Sequence, residues 1–130
     1  MAQTNTYKRA KKQAQPQIDT SLGHLPPQSV EVEKRVLGAL MIDVDAFTVV
    51  SELLRPETFY DPKHQKIFHA IQQLNIMEVP VDFVSVIEQL KKEGTHDEVG
   101  APTYIIELTD SVASSANIEY HARVLAQKYV

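Results

Sequence analysis

Apolar residues recur at helical spacing from Val32 onward, and the polar residues between them mark where each helix starts and stops. The first stripe is Val32, Val36, Leu37, Leu40 and Met41. Ser29 stands before it as an N-cap, with Glu31 and Glu33 at the positive end of the helix. Gly38 lies inside this pattern. A glycine there costs about 1 kcal/mol relative to alanine, which predicts a neighbouring helix packed closely against it. The second stripe is Ala46, Phe47, Val50, Leu53 and Leu54, capped by Asp43 and ended by Pro56.

The third helix has the clearest start. Asp61-Pro62 places a capping carboxylate before a proline at the first helical position. His64, Ile67, Phe68, Ile71 and Leu74 then share one face. Asp82 caps a fourth helix carrying Phe83, Val86, Ile87 and Leu90, with Lys91 and Lys92 in its last turn and Gly94 as a left-handed stop. Pro102 opens a fifth, with Tyr104, Ile105, Leu108 and Val112 facing inward. Ser114 or Ser115 caps a sixth, whose stripe is Ile118, Ala122, Leu125 and Tyr129. Only Val79 to Phe83 is strand-like, and Pro80 demotes it. The pattern predicts an all-α protein, a compact orthogonal bundle of about six helices.

The sixth stripe is still running at Val130, with no Gly, Asn or Pro to close it. The expectation is a truncated helix whose apolar face has lost its cover. Ile118, Ala122, Leu125 and Tyr129 are therefore the candidate self-association residues.

Composition adds exclusions. There is no cysteine, so no disulfide framework or thiolate metal site is possible. The longest apolar run, Val36 to Ile42, falls well short of the ~20 residues that cross a bilayer. No apolar stretch follows the basic N-terminus as a secretory signal would require. The chain reads as cytoplasmic, with no membrane partner. Residues 1–21 carry Lys8, Arg9, Lys11 and Lys12 against Asp19, a net of +3; the whole chain is −4, so the remainder is −7. An acidic body binds duplex phosphates poorly. Residues 1–25 are polar with little to bury and read as a flexible basic tail.

Candidate chemistry is sparse. None of Gly23, Gly38, Gly94 and Gly100 opens a Gly-Lys-Ser/Thr loop, so there is no amide cradle for a triphosphate. His64 and His69 are five apart and point to different helix faces, against a shared metal. Ser111, Ser114 and Ser115 lie where one helix ends and another begins, which capping explains. The pairs Asp43/Asp45 and Asp97/Glu98 read as caps and solvated loop charges. No catalytic, cofactor-binding or metal residue is assigned.

Several blocks together carry more than periodicity. Pro26-Pro27 with Glu33-Lys34-Arg35-Val36-Leu37-Gly38-Ala39-Leu40 resembles the opening of the N-terminal domain of DnaB-family replicative helicases. Phe59-Tyr60-Asp61-Pro62 followed by His64, Ile67-Phe68 and Ala70-Ile71 resembles the next part, as do Pro80-Val81-Asp82 with Val84 and Val86. Val99-Gly100 with Tyr104, then Ser115-Ala116-Asn117-Ile118-Glu119-Tyr120 with Ala122-Arg123, complete the ordered set. Ala101-Pro102 stands where the family often has a second glycine, and Gly94-Thr95-His96-Asp97 replaces a more apolar stretch.

The tail over residues 1–25 is not part of the resemblance, which implies a helical head over residues 26–113 and, over residues 114–130, the truncated first arm of a helical hairpin. It implies a collar domain that pairs with copies of itself within a hexamer and binds primase, with a helicase loader as a further partner. ATP, Mg²⁺ and DNA would belong to a motor domain outside this chain, so the chain itself would be no enzyme. Two alternatives stand beside this: the helicase-binding helical domain of a primase, and a small nucleic-acid module using the basic tail.

Overall fold

The computed structural model describes residues 27–129, with side chains from 29 to 127. Among them lie six α-helices and no strand. They are α1 (Pro27–Ile42), α2 (Ala46–Val50), α3 (Pro62–Ile76), α4 (Phe83–Glu93), α5 (Thr103–Asp110) and α6 (Ile118–Tyr129), with a 3-10 turn at Pro56–Thr58 between α2 and α3. The tail assigned to residues 1–25 lies outside the described residues.

Helix α1 is the centre of the bundle. It packs against α2, α3, α5 and α6, while α4 lies on α3 and α5. Its inward residues Val36, Leu37, Leu40 and Met41 are buried, as the stripe predicts. The start differs from expectation. The helix begins at Pro27, a residue suited to a first turn because its missing N–H would be unbonded there anyway. Ser29 therefore sits inside the helix rather than capping it; its side chain is buried and its hydroxyl has no partner among the described residues.

Gly38 is the close approach that its position predicts. An added Cβ would stand 2.5 Å from Val112 Cγ2 and nearer still to the backbone carbonyl oxygen of Leu108. The missing side chain lets α1 and α5 touch through backbone.

The second predicted helix is shorter than its stripe. Only Ala46–Val50 is helical; Leu53 and Leu54 follow in a turn, although Leu54 remains buried. Asp43 does not cap α2 directly. Its carboxylate accepts the Asp45 N–H at 2.9 Å and the Ser115 hydroxyl at 2.6 Å, tying the α1–α2 turn to the α5–α6 loop.

The caps of the next two helices are as expected. Asp61 accepts the Lys63 N–H at 2.9 Å with Pro62 at the first position. Asp82 and Ser85 bond reciprocally at the start of α4, and Gly94 ends it at φ 76°. Phe83 is a correction. It is expected inward but is 42% exposed, projecting at the α3–α4 turn with Ile76, Met77, Val79 and Val84. As the first residue of α4 it precedes the turn at which Val86, Gln89 and Leu90 meet the core.

Helix α6 is the larger correction. Ile118, Ala122 and Leu125 are 6%, 0% and 1% exposed, and the helix packs on α1 and α2. These three stripe residues are covered within the chain, because α1 and α2 together supply the apolar wall that periodicity alone assigned to a missing continuation.

Candidate functional site

The polar feature with the deepest burial joins three helices. Glu33 of α1 and His64 of α3 are both without exposed surface. Glu33 Oε1 lies 2.7 Å from His64 Nδ1, and His64 Nε2 lies 2.6 Å from the Tyr104 hydroxyl of α5. The same carboxylate accepts the Tyr60 N–H at 2.6 Å and the Asp61 N–H at 3.3 Å. One proton arrangement satisfies every group with a neutral ring. His64 Nδ1–H donates to Glu33, and the Tyr104 O–H donates to Nε2.

Tyr104 closes this clasp at the surface. Its ring lies nearly parallel to that of His64, with centroids 5.9 Å apart, and Lys63 Nζ stands 4.2 Å over its face. Burial raises the Tyr104 phenol well above its ordinary value, and the carboxylates of Asp61, Glu107, Glu31 and Glu33 add to this. It therefore stays a hydrogen-bond donor. An acid, an imidazole and a hydroxyl in line resemble a nucleophile relay in residue type. Here the acid and imidazole are sealed, and the carboxylate is spent on two backbone amides. The chemistry available to the arrangement is structural: it fixes the start of α3 against α1 and α5.

The other flagged side chains also have local partners. Ser115 donates to Asp43, Ser111 donates to the Leu108 carbonyl at 2.9 Å, and Ser114 accepts the Ala116 N–H at 3.3 Å. His69 lies 3.2 Å from Glu93, His96 lies 2.9 Å from Asp97, and Lys66 pairs with Glu98 at 3.0 Å. His64 and His69 are not brought together, and among the described residues no three His, Asp or Glu side chains converge as a metal would need.

Of the candidate self-association residues, Ile118, Ala122 and Leu125 face the core. Tyr129 ends α6, and its side chain lies outside the described residues. The outer face of the helix presents Tyr120, 68% exposed, beside Glu119 and Arg123, which pair at 2.8 Å.

Sequence patterning missed the clasp. Glu33 reads as a helix-dipole acid and His64 as a stripe member, and nothing local links residues 31 and 40 positions apart. The one signal was a charged residue inside an otherwise apolar stripe, Glu33 next to Val32 and Val36.

The family model for the DnaB-like helicase N-terminal domain matches residues 25–127. The chain is 47% identical over 106 residues to the replicative DNA helicase DnaB of Rhodothermus marinus, covering 82% of this chain and 11% of that protein. It is 44% identical over 106 residues to that of Geobacillus stearothermophilus, covering 82% and 23%. It is 41% identical over 106 residues to the replicative DNA helicase DnaC of Bacillus subtilis, with the same coverage. The chain thus spans a quarter or less of the length of these relatives. Among solved structures, the N-terminal domain of DnaB helicase from Mycobacterium tuberculosis superposes with a TM-score of 0.76 at 36% identity, covering 81% of this chain and 76% of that one.

Proposed function

Since the chain belongs to the DnaB-like helicase N-terminal domain family, we propose that it is a collar domain of a replicative helicase that acts by association alone, pairing with copies of itself and docking primase. The observation that carries this is where its polar side chains are spent. The buried acid and imidazole hold α1, α3 and α5 together, and the loop serines and aspartates close turns. Family membership favours the helicase side over a primase's helicase-binding domain.

ATP and Mg²⁺ would act in a part of the helicase that these residues do not supply. No Gly-Lys-Ser/Thr loop offers backbone amides to a triphosphate. Within the α6 stripe, Ile118, Ala122 and Leu125 are covered by the chain itself. The exposed apolar residues at the α3–α4 turn and Tyr120 on α6 offer the area instead. An ATPase assay with and without single-stranded DNA tests the absence of chemistry. No turnover above buffer is expected; turnover that persists through repurification overturns the proposal.

A further inference from the structure

On the side of α1 away from α3 lies a cleft of about 250 Å³ between α1, the α5–α6 loop and α6. Its apolar floor is Ala39, Val112 and Ile118, and its polar wall is Arg35, Ser114, Asn117 and His121. Arg35 and His121 face the same space from two helices. Among the described residues, the Arg35 guanidinium has no carboxylate within 4 Å, as is also true of Arg55, Lys63 and Lys92. Glu31 and Glu107 line an adjoining cleft beyond Arg35, without reaching that distance.

We propose that this cleft binds one compact oxyanion, a phosphate group carried on a small molecule. Burial first, and the Arg35 charge second, hold the His121 imidazole below its ordinary value, so the ring offers a neutral N–H beside the guanidinium until an anion in the cleft favours its protonation. Around the pair stand further donors. The Ser114 oxygen accepts the Ala116 N–H and leaves its own proton free to donate outward, and the Asn117 amide lines the mouth. A phosphate offers three terminal oxygens, enough for a forked guanidinium, an imidazole N–H and neutral donors at once. The volume is below the roughly 300–1,000 Å³ of sites that enclose a whole drug-sized ligand, so it takes a head group rather than a base or an acyl chain. The acidic body around the cleft opposes a polyanion such as DNA, whose other phosphates would lie against it.

The test is an NMR titration of the ¹⁵N-labelled chain with inorganic phosphate at constant ionic strength. Saturable shifts at Arg35, Ser114, Asn117 and His121 are expected, with a dissociation constant on the order of 1 mM. Arg35→Gln should weaken binding ~10-fold or more, and Arg35→Lys, which keeps the charge and loses the fork, should fall between. His121→Asn should weaken it as well, with helicity by circular dichroism unchanged in each variant. Shifts that never saturate, or that persist in Arg35→Gln, overturn the proposal. So does acetate binding as tightly as phosphate, or oligothymidylate displacing phosphate from the same residues at lower concentration.

Discussion

Glu33 and His64 meet 2.7 Å apart with no exposed surface on either side chain, 31 residues apart in sequence and on different helices. A buried carboxylate is tolerated only when its oxygens are bonded, and this one accepts two backbone amides besides the imidazole. Truncating it strands the buried imidazole N–H and two part-buried backbone amides. Glu33→Ala should cost about 3–5 kcal/mol, at roughly 1–3 for each donor left unbonded. Tyr104→Phe, which leaves only His64 Nε2 unpaired, should cost about 1–3 kcal/mol. Urea midpoints measure both. Equal and small losses for the two variants would show that the clasp is incidental to the fold.

Phe68 has no exposed surface and meets Phe59 and Phe47 at ring separations of 5.1 and 5.9 Å. Phe68→Ala should cost about 3–5 kcal/mol, severe against a typical total of roughly 5–15. A loss below ~1 kcal/mol in urea would mean that the aromatic cluster collapses into the space without penalty.

Helix propensity and packing oppose one another at Gly38. Alanine gains about 1 kcal/mol of intrinsic propensity. Its Cβ, however, meets the Leu108 carbonyl, which is backbone and cannot swing away. Overpacking of this kind costs about 1–3 kcal/mol. Gly38→Ala should therefore be net destabilising and should loosen α5, seen as faster amide exchange over residues 103–110. A raised melting temperature would contradict the close α1–α5 contact.

These residues also separate what was legible in the chain from what was not. Asp61-Pro62, Asp82 and Gly94 carry their helix boundaries in local chemistry, and Gly38 announced a close neighbour without saying which. Periodicity placed Leu125 on an apolar stripe correctly. It could not tell whether α1 and α2 or another copy would cover that stripe, because both present the same oily surface to a helix. Phe83 was misplaced for a related reason: a stripe begins before the point where its helix meets the core. The clasp is invisible locally, since a hydrogen bond between distant positions leaves no period. Ile118, Ala122 and Leu125 were read as uncovered at the same step, and the α3–α4 apolar turn emerged only from exposure.

Leu125→Asp follows from that correction. A charge placed where a side chain is 1% exposed within its own chain should unfold the bundle rather than dissolve a complex. Circular dichroism should show lost helicity or a sharply lowered midpoint. A folded variant of unchanged stability would mean that the stripe is solvent-facing after all.

The Asp43–Ser115 bond gives a dependence on pH. The Ser115 hydroxyl, then the Asp45 amide, holds the Asp43 carboxyl below its ordinary value of 3.8. A depressed folded value stabilises the fold above the unfolded value, and that contribution is lost as pH falls through the lowered one. Ser115→Ala removes the larger cause, so its stability should decline less steeply than wild type below about pH 4. Parallel stability curves for the two proteins would show that the bond carries no linkage.

The most direct test of association as the function is sedimentation velocity of this chain mixed with the primase encoded in the same genome, across a concentration series. The account predicts a co-sedimenting boundary that grows with concentration, with the chain itself shifting toward a pair. Two species sedimenting independently at every concentration, with the chain monomeric throughout, would contradict it.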